Sequence, residues 1–448
     1  MDTLTALRSG QLAGATRINI SAGLTEFPLE LLQLKDSLEV LDLSNNQLRS
    51  LPDELSQFTR LKALFCFKNN FETVPEVVAR CPSLMILGFK SNQIHTLPAA
   101  VLSPRLRWLI LTDNHITQVP AEIGQCQHLQ KLMLAGNQLR SLPPELAHCH
   151  NLELIRLAAN QLDALPDWLL HLPKLSWLAY AGNPFCASGA REERSLPAID
   201  WADLTVGEVL GQGASGVISQ ATWHCDPPQR VAVKVFKGEI TSDGFPADEM
   251  QACIAAGNHP HLVKLLGRLV NHPEQKNGLV FDLIPPGYGV LAGPPNLDTC
   301  TRDTYPAEQT FSLPAILATV QGVASAAARL HARGILHGDL YPHNTLVNEQ
   351  GESLLSDFGA ASFYDPTDAV FGDALEHLEV RAFGCLLEDL LTRCTLDALS
   401  SYEDCIDDLH HLQQACVNPK PAYRPSFEDI EQTLAHLAAS QELNRILR

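Results

Sequence analysis

From about residue 15 to residue 185 the apolar positions of the chain recur at a fixed spacing. Leu38, Leu41, Leu43, Asn46 and Leu48 form a frame that returns as Leu129, Leu132, Leu134, Asn137 and Leu139. The asparagine of the frame stands at Asn46, Asn69, Asn92, Asn114, Asn137, Asn160 and Asn183, an even interval within the range of solenoid repeats. Ile18, Ile20, Phe27 and Pro28 make a degenerate first unit. Alternating apolar residues ahead of each asparagine predict a short strand with one buried face, and the amide side chain can satisfy backbone groups in the turn that follows. A Leu-Pro or Val-Pro pair comes after most strands, as at Leu51-Pro52, Val119-Pro120 and Leu142-Pro143, and predicts the start of a helical turn. No unit this small buries a core alone, whereas stacked units share one and need caps at their ends. Leu4 to Leu12 and Asn183, Pro184 and Phe185 are the candidate caps.

The frame resembles that of the leucine-rich-repeat family. The resemblance implies a solenoid of about seven to eight such units, with strands on its concave side. Strand positions expected to face that side include Phe65, Phe67, Ile86, Trp108, Ile110, Met133 and Trp177. Nothing in the repeat's own core requires them to be apolar, and an exposed apolar stripe marks a docking surface. The expected occupant is a protein substrate or regulator, or the chain's own second domain; the alternative is that neighbouring side chains cover the stripe.

After Phe185 the period stops. The pattern gives a repeat domain over 1–185, a polar linker over 186–203 and a second domain over 204–443. In the second domain strand-like alternation comes first and longer helical segments follow, such as Leu313 to Ala332 and Phe427 to Leu437. A small β-rich lobe ahead of a helical lobe is expected. Leu313 to Leu330 is the most apolar long stretch, but Gln321, Ser325 and Arg329 interrupt it. It falls short of the roughly 20 apolar residues of a membrane span and reads as a buried helix.

Candidate chemistry lies in the second domain. Gly211, Gly213 and Gly216 follow a strand-like LTVGEVL with the spacing G-x-G-x-x-G, and Val231-Ala232-Val233-Lys234 comes soon after. Glycine spacing alone also suits a dinucleotide fold, but a lysine on the next strand suits neutralisation of nucleotide phosphates under a glycine-rich cover. His337 to Asn344, HGDLYPHN, is followed by Asp357-Phe358-Gly359, and Arg424-Pro425-Ser426-Phe427 comes near the end. The first four motifs in this order resemble the eukaryotic-type protein kinase family over residues 204–440, and the last matches its late helical-lobe motif. The whole reads as a multidomain chain: an α/β leucine-rich-repeat solenoid followed by a bilobal α+β protein-kinase-like fold.

That resemblance implies ATP and Mg2+ as cofactors and a Ser/Thr-type protein kinase activity, and it carries roles over to matching positions. Gly211, Gln212, Gly213, Ala214, Ser215, Gly216 and Ile218 would cover the nucleotide. Lys234 would hold its phosphates and pair with Glu249, a position contested by the adjacent Asp248. Asp339 would accept the proton of the substrate hydroxyl, and Asn344 and Asp357 would hold Mg2+. Phe281, Asp282 and Leu283 would meet the adenine, with His337 and Phe358 as packing pins.

Three positions depart from the pattern. Gly338 stands where many members carry an arginine that pairs with an activation-loop phosphate, and Tyr341 stands where a catalytic-loop lysine is usual. The stretch from Asp357 to Glu379 is short and holds no A-P-E motif, so the platform for a peptide substrate is shortened or remodelled. Two further readings stay open: a small-molecule phosphotransferase similar to the aminoglycoside kinases, and a non-catalytic nucleotide-binding scaffold. The Pro/Gly-rich stretch from Pro285 to Pro306 has no assignment.

Composition narrows the partners. Residues 281–448 hold 24 acidic against 9 basic side chains, most of the chain's net charge of −19. Nucleic-acid binding needs the opposite surface. Twelve cysteines without a C-x-x-C pair suggest neither a zinc site nor a disulfide framework, and reduced thiols with no signal-like apolar run near Met1 lead us to expect a cytoplasmic protein.

Overall fold

The computed structural model describes residues 3–187, 196–213, 215–238, 240–368, 370–395 and 403–446. They form two compact units, one of Met1–Leu172 with Asn183–Phe185, the other of Pro173–Gly182 with Cys186–Arg448.

In the first unit a short helix α1 (Thr3–Arg8) precedes seven three-residue strands: β1 (Arg17–Asn19), β2 (Val40–Asp42), β3 (Ala63–Phe65), β4 (Ile86–Gly88), β5 (Trp108–Ile110), β6 (Lys131–Met133) and β7 (Leu154–Arg156). Each pairs in parallel with the next. The middle residues from β2 onward, Leu41, Leu64, Leu87, Leu109, Leu132 and Ile155, are wholly buried. Each such side chain stabilises the stack by about 1.5–3 kcal/mol. A proline with extended backbone caps the 3-10 turn of successive repeats, as Pro52, Pro75, Pro120 and Pro143 do.

The asparagines form a ladder. Asn137 is typical: its Nδ2 donates to the carbonyls of Leu111 and Leu134, both at 2.9 Å, and its Oδ1 accepts from the Ile116 amide at 3.0 Å. Asn92, Asn114 and Asn160 repeat the arrangement, tying each turn to the repeat before it. The residue ahead of each asparagine takes a left-handed backbone, with φ from 49° to 69° at Asn45, Lys68, Ser91, Asp113, Gly136 and Ala159. That conformation costs a side chain other than glycine about 1–2 kcal/mol, which the buried amide bonds offset.

The second unit begins inside the repeat pattern. Strand β8 (Trp177–Ala179) occupies the next repeat position yet groups with the C-terminal residues. Of the stretch expected as linker, β9 (Ala198–Asp200) pairs in parallel with β13 (Leu265–Val270) and so extends the sheet. The full order is β10 (Leu204–Gln212), β11 (Gly216–Trp223), β12 (Gln229–Phe236), β14 (Gly278–Asp282), β13 and β9. Helix α2 (Pro246–Ala256) follows β12 in sequence. The helical part holds α3 (Leu313–His331), α4 (Gly372–Leu391), α5 (Glu403–Cys416) and α6 (Phe427–Ile446). Ser312 caps α3 by accepting from the Ala315 amide. By length and composition α3 could cross a membrane, but it packs on α6 and Val320, Val323, Ala324 and Leu330 are fully buried, as expected of a core helix.

The unassigned 285–306 stretch is anchored here. Gly289 and Val290 pair with Val347 and Leu346, and Arg302 donates to Glu388, Asp389 and the Cys385 carbonyl on α4.

Candidate active site

The β10–β11 hairpin carries the glycines. The Gly213 amide donates to the Gly216 carbonyl at 3.0 Å, and a Cβ on Gly216 would lie 2.7 Å from the Val235 carbonyl oxygen, so only glycine lets β11 approach β12 there. Ala214 lies outside the described residues.

Lys234 projects from β12 and forms an ion pair with Glu249 of α2, which settles the choice against Asp248. Both side chains are buried. Burial would lower the Lys234 pKa, but the negative charges of Glu249 and Asp357 outweigh it and hold the ammonium above its ordinary range. Asp357 itself takes φ +58°, and its Oδ1 accepts from the Gly359 amide at 3.1 Å. Phe358 packs among Ala252, Cys253 and Ala256 of α2, and its ring meets His337 at 5.2 Å. His337 and Phe358 thus pin α2 and the catalytic loop by packing.

In the loop itself, Asn344 Nδ2 donates to the Asp339 backbone carbonyl at 2.9 Å and to its Oδ2 at 2.8 Å. Those bonds use the amide nitrogen, so the amide oxygen is the atom Asn344 has for a cation. Together with the Asp357 carboxylate it makes a hard oxygen donor set of the kind Mg2+ takes. The residues therefore fit MgATP: a buried lysine beside an acidic pair, and an apolar cleft bounded by Ile218, Ala232, Phe281 and Leu346.

Asp282 and Ile284 line both this cleft and the adjoining hollow, which Leu283 lines with His259, Pro260 and Lys264. Gly211 and Gln212 end β10, Gly216 starts β11, and Gly213 and Ser215 lie in the turn between them, where the Ser215 hydroxyl bonds to Glu249.

The expected exposed stripe of the repeats is only partly exposed. Ile86 and Ile110 are buried, and Phe65, Phe67, Trp108 and Met133 are half-buried. Phe65 and Phe67 pack ring to ring at 5.3 Å over Gly88, whose missing Cβ leaves room for them, and the Lys131 ammonium lies 4.4 Å from the Trp108 ring centroid. Neighbouring side chains cover part of the stripe and leave Phe65, Phe67, Trp108 and Met133 partly accessible. Trp177 is buried as well and belongs to the second unit.

Two groups escaped the sequence. Glu379, fully buried on α4, accepts from the amides of Gly338 at 2.6 Å and His337 at 3.1 Å and bonds to His331 Nε2 at 2.8 Å. Burial raises its pKa, but the His331 hydrogen bond and the charges of His331 and His337 bring it below the ordinary range. An acidic residue inside the apolar run LEVRAFG was the available signal. Asp303, delivered by the 285–306 stretch, accepts from the His343 amide and meets its Nδ1, both at 2.7 Å. Nothing local in the sequence links two positions so far apart.

Residues 204–381 match the family model described as protein tyrosine and serine/threonine kinase, and residues 37–58, 104–162 and 127–185 match leucine-rich-repeat models. Among curated relatives, chicken tyrosine-protein kinase receptor TYRO3 is 25% identical over 289 residues, 53% of this chain and 32% of that one. Human mitogen-activated protein kinase kinase kinase 7 is 26% identical over 274 residues, 53% of this chain and 42% of that one. Mouse leucine-rich repeat and calponin homology domain-containing protein 1 is 34% identical over 125 residues, 27% of this chain and 18% of that one. The chain spans less than half the length of these three relatives. A solved leucine-rich-repeat protein of Leptospira interrogans is 29% identical, with a TM-score of 0.38, and the match covers 40% of this chain and 45% of that one. Ladder, paired lysine and catalytic loop thus belong to a chain that joins leucine-rich repeats to a protein kinase domain.

Proposed function

We propose that this chain transfers the γ-phosphoryl group of MgATP to a protein hydroxyl, of serine or threonine in preference to tyrosine. The single observation that carries the reading is the Lys234–Glu249 ion pair, buried and within the field of Asp357, while Asn344 holds Asp339. Lys234 neutralises the phosphates. Asn344 and Asp357 hold Mg2+, which spreads the charge developing on the transferred group. Asp339 takes the proton of the acceptor hydroxyl. Relatives of both specificities match this domain, and the preference for serine or threonine is carried by the overall resemblance of the motifs.

The repeats recruit or restrain a protein substrate or regulator. Tethering raises the acceptor's effective concentration near Asp339, which matters where the peptide platform is short. Reduced, buried thiols such as Cys66 and Cys126 accord with a cytoplasmic setting.

The test is transfer of labelled phosphate from ATP with magnesium, to the protein itself and to a generic basic protein. Wild type should label, and Asp339→Asn should lose label by roughly 10²-fold or more while keeping nucleotide affinity. Nucleotide binding by wild type without any transfer would instead favour the scaffold reading.

A further inference from the structure

The three departures of this kinase domain from the pattern it resembles meet in one place. Gly338 lacks the arginine, Tyr341 lacks the lysine, and Glu379 follows Asp357 after a shortened stretch. All three lie against the segment Pro173–Gly182, which belongs to the same compact unit. Gly338 has φ +72°, and a Cβ there would lie 2.5 Å from the Leu178 carbonyl oxygen and 2.6 Å from that of Ala360, so no side chain fits. The Tyr341 ring stacks on the Trp177 indole with centroids 4.2 Å apart and planes 6° from parallel. The indole Nε1–H donates to the Leu340 carbonyl at 3.1 Å.

The activation segment is held from the same strand. The Ser362 hydroxyl oxygen accepts from the amides of Tyr180 and Ala181 at 2.9 and 3.1 Å, and the Tyr180 hydroxyl donates to the Phe363 carbonyl at 3.1 Å. Arg381 of α4 donates to Ser176 Oγ at 2.9 Å, and Arg424 donates to the Pro173 carbonyl at 2.9 Å. Trp177, Tyr180, Tyr341 and Ser362 are at most 2% exposed. Asp339 is therefore fixed on both sides along the chain: Glu379 holds Gly338 before it, and Trp177 holds Leu340 and Tyr341 after it.

We propose that Trp177 and Tyr180 are positioning residues for phosphoryl transfer, bracing the catalytic loop and the activation segment where a loop phosphate paired with arginine would otherwise act. The inference rests on the kinase reading above. It follows that Ser362 is a structural acceptor: a phosphate there would remove the oxygen from both amides and break the brace. A segment that only filled space would need neither an indole donor aimed at Leu340 nor a hydroxyl shared by two amides.

The full chain is compared with Trp177→Phe, which keeps a ring but loses the donor, and with Trp177→Ala. Two quantities are read: kcat and KM for MgATP, and amide hydrogen exchange of residues 338–345 without nucleotide. Losing one neutral hydrogen bond should lower kcat roughly 3–10-fold in Trp177→Phe with KM for ATP unchanged. Trp177→Ala should lower kcat further. Exchange at 338–345 should quicken in that same order while β12 and α2 keep their protection. Wild-type exchange in both variants overturns the proposal, and so does a uniform loss of protection accompanied by weaker ATP binding, which marks a purely structural role. Absence of transfer by wild type would sink the kinase reading, and the exchange comparison would still decide whether the brace exists.

Discussion

Two parts of this molecule solve the same problem in opposite ways. In the repeats, a tight turn leaves backbone groups without strand partners, and a neutral asparagine supplies them again and again, as Asn92, Asn114, Asn137 and Asn160 do. In the catalytic loop, the amides of His337 and Gly338 both donate to the ionised carboxylate of Glu379. The ladder spreads its load over many equal rungs. The loop concentrates it in a single charge whose desolvation must be balanced by His331 and two amides.

The sharpest break in that comparison is Glu379→Ala. It strips two buried amides and His331 of their partner and should cost roughly 3–5 kcal/mol, with phosphate transfer lost along with it. Urea unfolding followed at both far-UV and tryptophan signals measures it. Because the folded pKa of Glu379 is depressed, its contribution is fully present above the ordinary carboxylate value and disappears as pH falls through the lower folded value. Glu379→Gln should flatten that acid limb, so a wild-type limb unchanged in the glutamine variant would remove Glu379 from its cause.

A rung should cost less. Asn137→Ala leaves the buried Ile116 amide without its acceptor, while the Leu111 and Leu134 carbonyls keep Asn114 and Asn160 as donors, and should destabilise the repeats by roughly 1–3 kcal/mol, read from the same unfolding curves. Asn92 lies two repeats away, and the double variant should lose the sum of the single effects to within about 0.5 kcal/mol, because these two rungs have no partner in common even though each shares a carbonyl with Asn114 between them. A large excess would mean that the ladder acts as one body. Smallest is Ala159→Gly, where the left-handed backbone at φ 53° favours glycine and the gain should be about 1 kcal/mol. A loss there would show that the Ala159 side chain stabilises the turn by more than the strain it causes.

What could be read from the sequence divides along the same line. Periodic devices announce themselves: Asn46 through Asn183 gave the repeats, and the short motifs around Lys234, Asp339, Asn344 and Asp357 gave the domain. Glu249 was legible as one of two neighbours, and the geometry chose between them. For the apolar concave positions, alternation tells which face a residue takes, and not how far its neighbours lie over it. Asp303 with His343, and Trp177 with Tyr341, join residues far apart in the chain, and no local rule reaches them.

The left-handed residue and the asparagine after it make each turn of the ladder interchangeable with the next. Gain or loss of a whole repeat within the array would therefore keep every rung supplied, and such a chain could change length over generations at little cost. The unit that ends in Gly182 has no such freedom. Its strand is committed to Gly338, Tyr341 and Ser362, so a lineage that duplicated or dropped repeats would have to do so ahead of Pro173 and leave that last one in place.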